Sequence, residues 1–321
     1  MNTAAAPSIG STQWLQWPLP RDLPRRNPGA TMPATPTTNY ADWIGRSEDA
    51  CDTVQPTPVA ALAATLDHPT AAAPGAVLPP LWHWLYFLPL PAQAGLDADG
   101  HARRGAFLPP VPLPRRMCAG SRLQFHSPLR VGDRLRRRST IEAVDEKNGR
   151  SGRLVFVRVR HELTRDGEAA PALSEWHDIV YREARATGAA AGDGAPPPRP
   201  AATQAAWRRA IVPDPVLLFR YSALTFNGHR IHYDRDYATR VEGYPGLVVH
   251  GPLIATLLLD LLRRERPAAQ VAAFRFKAVH PLFEPGGFDV RGQPSDDGRT
   301  VALWAAGADG ALAMEAEAAL R

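Results

Sequence analysis

The residues best suited to chemistry lie in the stretch from Tyr221 to Leu262. Its first part reads T-F-N-G-H-R-I-H-Y-D and places Asn227 five residues before His232. An imidazole titrates near neutral pH and can take a proton from water and return it, whereas an amide can only hold a group by hydrogen bonds. We therefore predict that His232 carries protons and that Asn227 positions water. On spacing alone, a polar surface turn is an equally good interpretation.

About twenty residues further on, the apolar run L-V-V ends at His250 and Gly251 and leads into P-L-I-A-T-L-L-L-D-L-L. The leucine spacing predicts an amphipathic helix over 253–264 with its leucines in the core. Glycine lets a ligand approach the backbone, and an N–H at a helix start meets the positive end of the helix dipole. Gly251 is thus a candidate oxyanion donor, although Gly-Pro is also an ordinary helix-start signal.

Composition narrows the function classes. The chain has 321 residues, a net charge of +5 and 37 basic residues, of which only Lys147 and Lys277 are lysines. This arginine excess indicates either a GC-rich genome or a surface for a phosphate-bearing ligand. The basic residues do not share one helix face and are not interleaved with stacking aromatics, so we expect no nucleic-acid partner.

Two cysteines, Cys51 and Cys118, are too few for a disulfide framework or a CxxC metal site. No Gly-rich phosphate loop or HExxH motif is present, so we expect no metal and no cofactor. The most apolar window, 75–95, contains four prolines and cannot form a membrane helix. Together with the lack of a signal-peptide pattern, this predicts a cytoplasmic protein without membrane contact.

The chain divides into two halves around an Ala/Gly/Pro-rich linker at 184–206. Residues 1–38 have the composition of a disordered extension. In the first half, Thr57 and Pro58 predict a helix start, and period-two patterns predict strands at 122–125, 134–143, 153–163 and 175–182, with a turn at 146–149. In the second half we expect strands near 271–279, 287–293, 299–306 and 311–319. Because Pro128 and Pro281 stand in similar surroundings, the halves are interpreted as two copies of one α+β unit.

The sequence also resembles a known family. The stretch F-N-G-H-R-I-H-Y-D resembles the signature Gly-Asp-x-Asn-Pro-(Ile/Leu)-His-x-(Asp/Glu) of MaoC-like enoyl-thioester hydratases, and G-L-V-V-H-G resembles their Ala-His-Gly segment. With R-R-G-A-F-L-P-P-V-P-L-P-R-R-M in the first half, the chain is similar to the mesaconyl-C4-CoA (3-methylfumaryl-CoA) and itaconyl-CoA hydratase group. That group is similar to mitochondrial type 2 hydroxyacyl-thioester dehydratases. The resemblance covers roughly residues 40–320.

This resemblance implies an α+β double hot dog, in which two helix-wrapped antiparallel sheets are joined into one. It implies two long central helices, a non-catalytic unit at 39–183 that shapes the substrate tunnel, and a catalytic unit at 207–321. His232 falls on the family's catalytic His, Asn227 on its catalytic Asp and Gly251 on its oxyanion-hole Gly. The Asn in place of Asp argues against a scheme with two acid/base groups, because an amide cannot take a proton.

The implied activity is reversible hydration of a 2-enoyl-thioester, with mesaconyl-C4-CoA or itaconyl-CoA giving citramalyl-CoA. Alternatives are a 3-hydroxyacyl-ACP or -CoA dehydratase of fatty-acid metabolism, a non-catalytic acyl-CoA-binding hot-dog protein and a thioesterase. A homodimer is compatible with the resemblance. The candidate substrate-binding residues, including arginines for a second carboxylate, are His229, Arg230, Arg115, Arg116 and His250.

Overall fold

The computed structural model describes residues 39–149, 152–183 and 198–321. The predicted disordered extension at 1–38 and most of the predicted linker, 184–197, lie outside the described residues. The helices and strands of the first half are β1 (Ser47–Thr53), α1 (Pro56–Thr65), β2 (Arg115–Phe125), β3 (Arg134–Gly149), β4 (Gly152–Arg165) and β5 (Leu173–Arg182). Those of the second half are β6 (Trp207–Ile211), α2 (Pro215–Leu224), α3 (Gly251–Glu265), β7 (Val271–Ala278), β8 (Phe288–Pro294), β9 (Thr300–Gly307) and β10 (Leu312–Leu320).

All ten strands form one antiparallel sheet in the order β1-β3-β4-β5-β2-β7-β10-β9-β8-β6. The second five strands repeat the first five in mirrored order, and β2 pairs with β7 at the junction. A side chain at Gly120 would bring its Cβ to 2.4 Å from the carbonyl oxygen of Phe276, so glycine permits this close junction. The predicted α+β class, with two joined sheets, is confirmed.

The repeat extends to single hydrogen bonds. After β2, the N–H groups of His126 and Ser127 both donate to the carbonyl of Ala172, at 2.8 and 3.1 Å. After β7, the N–H groups of Val279 and His280 both donate to the carbonyl of Ala313, at the same two distances. The two Pro-Leu segments that suggested a repeat therefore occupy equivalent turns.

The two halves differ in their central helix. α3 is almost wholly buried and packs on β6, β8, β9 and β10, as the leucine spacing predicts. In the described part of the first half the longest helix is α1, with ten residues. α1 follows β1 as α2 follows β6, so α1 is the counterpart of α2, and the two helices contact each other. A counterpart of α3 is replaced by the Pro-rich segment 77–114, because prolines remove N–H donors and cannot continue a helix.

Without that helix, one face of the first-half sheet carries a polar band. The band crosses neighbouring strands through the paired residues Ser139 and His161 and then His161 and Glu175, with Arg137 and His177 beside them. Apolar residues flank it at both ends of the strands: Leu135, Leu163 and Leu173 at one, and Ile141, Val159 and Ile179 at the other. The sheet thus keeps a core while leaving polar groups facing a cavity.

Two local predictions are wrong. The segment 146–149 is not a turn, because β3 continues to Gly149 and pairs with β4 throughout. α1 begins at Pro56 with Gln55 as its N-cap, so Thr57 lies inside the helix. Pro56 takes the first helical turn, where a missing N–H costs nothing. Within the described ranges, none of the helices combines the length and apolar character needed to cross a membrane.

Candidate active site

The segment 227–232, here called the motif loop, begins three residues after α2 ends at Leu224. Asn227 is held by two bonds: its N–H donates to the carbonyl of Ser222 at 2.8 Å, and its Oδ1 accepts the N–H of His229 at 3.0 Å. Asn227 lies on the wall of a cavity. Because its side-chain oxygen already caps the loop, the group it offers most freely to a ligand is the Nδ2 amide donor.

His232 ends the 3₁₀ turn Arg230–His232 and is 8% exposed. Its Nδ1 lies 2.7 Å from the carbonyl oxygen of Val248, so Nδ1 carries the proton and Nε2 is an acceptor. Burial lowers the pKa of His232 to about 4, because desolvation disfavours the imidazolium. At neutral pH the ring is therefore uncharged, with one nitrogen ready to accept a proton.

His250 and Gly251 stand at the start of α3. His250 is buried, stacks on His232 with ring centroids 3.7 Å apart, and lies with Nε2 2.8 Å from Ser222 Oγ. Gly251 is the first helical residue, and the first N–H groups of a helix have no acceptor within it. A methyl group added at Gly251 would lie 3.9 Å from Cys118 Cβ, so this helix start faces a residue of the cavity wall.

The motif loop also meets two first-half side chains that the sequence analysis does not identify. His229 is buried, with its ring centroid 5.4 Å from that of His232 and 4.0 Å from that of His101. His101 Nδ1 in turn lies 2.9 Å from Asp99 Oδ2. Burial and the neighbouring imidazoles hold the pKa of His229 far below its usual value. Four imidazoles thus form a continuous array.

Asp99, His101 and His229 bring their ligand atoms within 4.8 Å of one another, a spacing at which a metal ion could bind. The sequence predicts no metal site. The direct hydrogen bond between Asp99 and His101 accounts for the geometry, so we treat these two side chains as a hydrogen-bonded pair.

The cavity beside this array has a volume of about 900 Å³ and draws its walls from both halves. Tyr221, Ser222 and Pro252 come from the second half, and Trp84 and Cys118 from the first. Such a volume suits a large organic ligand. His101 and Asn227 lie on the wall, whereas the rings of His229, His232 and His250 form the layer behind it.

The structure separates the predicted arginines. Arg115 forms an ion pair with Glu242 at 3.1 Å and is absent from the cavity wall. Arg230 forms an ion pair with Asp234, whose Oδ2 accepts hydrogen bonds from Nε at 3.0 Å and Nη2 at 2.8 Å. Arg116 lies on the wall and forms no ion pair with a carboxylate within the described ranges. Of the three, Arg116 is the one with charge available to a ligand.

Two further charged groups on the wall are not evident from the sequence. Arg137, from the polar band, has no carboxylate partner among the described residues, and burial lowers its pKa. Glu175 is buried and accepts hydrogen bonds from His83, Trp84 and Ser121. The bond from His83 holds the pKa of Glu175 below its usual range despite burial. The carboxylate of Glu175 is therefore fully hydrogen-bonded within the protein, whereas the guanidinium of Arg137 remains available to a ligand.

A ten-stranded double hot dog with a histidine beside a helix start fits the class of hydratases and dehydratases that act on acyl thioesters, and sequence comparison assigns the chain to that class. The chain belongs to the family described as hydroxyacyl-thioester dehydratase type 2, whose pattern matches residues 81–284. It is 46% identical over 286 residues to the mesaconyl-C(4)-CoA hydratase of Chloroflexus aurantiacus, covering 87% of this chain and 97% of that protein.

More distant similarities agree. The mitochondrial hydroxyacyl-thioester dehydratase type 2 of Schizosaccharomyces pombe is 44% identical over 73 residues, 22% of this chain and 24% of that protein. A solved MaoC-like dehydratase superimposes with a TM-score of 0.63 at 14% identity, covering 87% of this chain and 98% of the other. At that identity the superposition shows the fold alone. The predicted family, fold and hydro-lyase class are confirmed.

Proposed function

We propose that the protein reversibly hydrates mesaconyl-C4-CoA, or the related itaconyl-CoA, to citramalyl-CoA. The observation that carries this proposal is the 46% identity to a mesaconyl-C(4)-CoA hydratase over 97% of that relative's length. A cavity of about 900 Å³ with cationic groups on its wall supports an acyl-CoA ester that bears a second carboxylate.

In the proposed reaction with mesaconyl-C4-CoA, His232 Nε2 takes a proton from water as the water oxygen bonds to C3. The C2–C3 electron pair shifts and leaves negative charge on the thioester oxygen, which the N–H of Gly251 receives. The imidazolium of His232 then gives its proton to C2, so that one water has been added. The neutral ring at pH 7 and the tautomer fixed by Val248 support this role. Asn227 completes the site by donating Nδ2 toward the water or the acyl group.

The second carboxylate of mesaconyl-C4-CoA lies on C3, next to the reacting atoms, and needs a cation. We propose Arg116 for this role, assisted by Arg137, because both lie on the wall without a carboxylate partner in the described part of the chain. Arg115 and Arg230 are poorer candidates, since Glu242 and Asp234 already neutralise them.

We further propose one active site per chain. The second unit, 207–321, carries the motif, and the first unit, 39–183, contains no copy of it but supplies most of the cavity wall. The linker at 184–206 joins them. The assembly into a homodimer stays a prediction.

A panel of crotonyl-, mesaconyl-C4-, itaconyl- and medium-chain enoyl-CoA tests the substrate. Loss of enoyl-thioester absorbance reports on the conjugated esters, and chromatographic detection of citramalyl-CoA reports on itaconyl-CoA, whose double bond is not conjugated with the thioester. We expect mesaconyl-C4-CoA to give the highest kcat/KM. Preference for the medium-chain ester, or for an acyl-ACP, would favour a fatty-acid dehydratase instead. Release of free thiol would indicate a thioesterase, and no turnover of any ester would overturn the proposal.

The arginine assignment has its own test. Losing a charge-assisted hydrogen bond costs about 1.5–3 kcal/mol, so Arg116→Gln and Arg137→Gln should lower kcat/KM for mesaconyl-C4-CoA about 10- to 100-fold while sparing crotonyl-CoA. The matched control is Arg122→Gln, an exposed arginine on the same strand as Arg116. An equal loss on both substrates would contradict a carboxylate clamp.

A further inference from the structure

The first half holds the motif loop through its own segment 97–103, here called the clasp loop. The N–H of Arg230 donates to the carbonyl of Asp99 at 2.9 Å, and Arg230 Nη1 donates to that of Ala98 at 3.0 Å. Gly100 has φ +89°, and a Cβ there would lie 1.9 Å from the carbonyl oxygen of Gly228. The two loops therefore have one fixed relative position, set by backbone contacts.

Within the clasp loop, Asp99 and His101 form a bonded pair. Asp99 Oδ1 accepts the backbone N–H of His101 at 2.9 Å, and Oδ2 accepts the Nδ1–H of its ring at 2.9 Å. Both side chains are largely buried, at 19% and 18% exposure. These bonds hold the pKa of Asp99 below its usual range, so the carboxylate stays charged. A carboxylate behind Nδ1 fixes the tautomer and leaves Nε2 as the acceptor.

The pair stands where the motif lacks a proton acceptor. Position 227 is an amide, and its oxygen already accepts the N–H of His229. His101 lies on the cavity wall and its ring packs 4.0 Å from that of His229, next to His232. A carboxylate oxygen of Asp99 lies within 4.8 Å of a ring nitrogen of His229. The first half thus brings an acceptor to the side of the site that Asn227 leaves without one.

We propose that His101 is a second catalytic residue of this site, holding the attacking water through its Nε2, and that Asp99 is its positioning residue. This inference rests on the proposed hydration. Water then donates one hydrogen to His232 Nε2, which takes the proton, and the other to His101 Nε2, which aims the oxygen at C3. The Asp99 carboxylate also stabilises the positive charge that develops on the neighbouring imidazoles.

Three variants test the assignment in the full chain. We expect His101→Ala and Asp99→Asn each to lower kcat on mesaconyl-C4-CoA about 10²-fold with little change in KM, since general acid/base groups contribute about 10²- to 10⁴-fold. Arg103→Gln is the matched control: its side chain is 67% exposed in the same loop and does not line the cavity. An unchanged kcat in both test variants would overturn the inference, while wild-type turnover would leave the hydratase proposal standing.

Rescue separates a chemical role from a structural one. The double variant His101→Ala/Asn227→Asp restores a proton acceptor at the motif position and should recover at least tenfold of the lost kcat, and added imidazole should partly restore the single His101→Ala variant. Failure of both rescues would assign the pair a structural role. If a chelator abolished the activity of the wild-type protein and added Zn²⁺ restored it, Asp99, His101 and His229 would instead be metal ligands, and the inference would be overturned.

Discussion

Replacing Gly100 with alanine tests whether the clasp loop positions the active site. The left-handed backbone at φ +89° costs a residue with a side chain about 1–2 kcal/mol. The added Cβ would also lie 1.9 Å from the carbonyl oxygen of Gly228, where real Cβ contacts stay beyond 3.0 Å. The two loops must therefore separate by about 1 Å, and a misplacement of that size can cost about 10²-fold in rate.

Gly75 provides the matched control. It has φ +81°, and a Cβ there would meet nothing within 4 Å. Gly75→Ala should therefore carry the backbone cost alone, lowering the free energy of unfolding by about 1–2 kcal/mol with an unchanged kcat/KM. Gly100→Ala should add a loss of about 10²-fold in kcat/KM.

The assay combines urea unfolding with steady-state hydration of mesaconyl-C4-CoA for both variants. If Gly100→Ala, like Gly75→Ala, had the wild-type kcat/KM, contact between the clasp loop and the motif loop would not position the catalytic groups. That result would refute the reasoning. An equal loss of activity in both variants would trace the effect to backbone strain and would refute it as well.

Three further predictions concern pH, the start of α3 and the core. Burial lowers the pKa of His161, His229, His232 and His250 in the folded protein. Below about pH 6.5 the unfolded chain therefore binds more protons than the folded protein, and the urea midpoint should fall as the pH drops from about 6.5 to about 4. Gly251→Ala should lower kcat about 10²-fold at an unchanged urea midpoint, since the methyl would enter the space between the start of α3 and Cys118 on the cavity wall, where we propose that the thioester oxygen binds. Asp260→Asn should lower the free energy of unfolding by about 3 kcal/mol in urea titrations, because the buried carboxylate binds Arg209 and Arg264 at 2.7 Å.

Each has a clear contrary result. A urea midpoint that stays constant between pH 6.5 and 4 would show that the histidines do not resist protonation. A Gly251→Ala variant with wild-type kcat would show that the thioester oxyanion does not bind at the start of α3. An unchanged urea midpoint in Asp260→Asn would show that its ion pairs do not stabilise the fold.

Much of the sheet follows from the sequence because its strands alternate. Val155, Val157 and Val159 are buried as their spacing predicts, and the second-half strands begin and end within one or two residues of the predicted bounds. The edge strands are not evident. β1 reads S-E-D-A-C-D-T and β6 reads W-R-R-A-I, so neither shows the apolar alternation of a half-buried strand. β1 pairs with β3 and β6 pairs with β8 through backbone hydrogen bonds, which the pattern of side chains does not reveal.

α2 is missed although its signals are present. Asp214 caps the helix by accepting the N–H of Leu217, and Pro215 occupies the first helical position. The expectation of two long central helices is wrong for the described part of the first half, where the longest helix has ten residues, because the prolines of 77–114 remove N–H donors and cannot continue a helix.

The site is predictable only where it is contiguous. His232, Asn227 and Gly251 belong to one stretch of sequence. In the structure Asn227 and Pro252, the residue after Gly251, lie on the cavity wall, and His232 lies in the buried layer behind it. Asp99 and His101 stand more than 120 residues earlier, in the turn D-A-D-G-H. A carboxylate two residues before a histidine suggests a local bond, but contact with the motif loop depends on long-range packing of the two halves. The same holds for Arg137, whose wall position depends on strand register.

The central claim is that His232 carries the proton in hydration of an enoyl thioester. The most direct test is kcat/KM of His232→Ala on mesaconyl-C4-CoA, followed by loss of enoyl-thioester absorbance, with urea unfolding to confirm that the variant is folded. We predict a loss of about 10²- to 10⁴-fold in a folded variant. A folded His232→Ala variant that hydrates the ester at near wild-type rates would contradict the account.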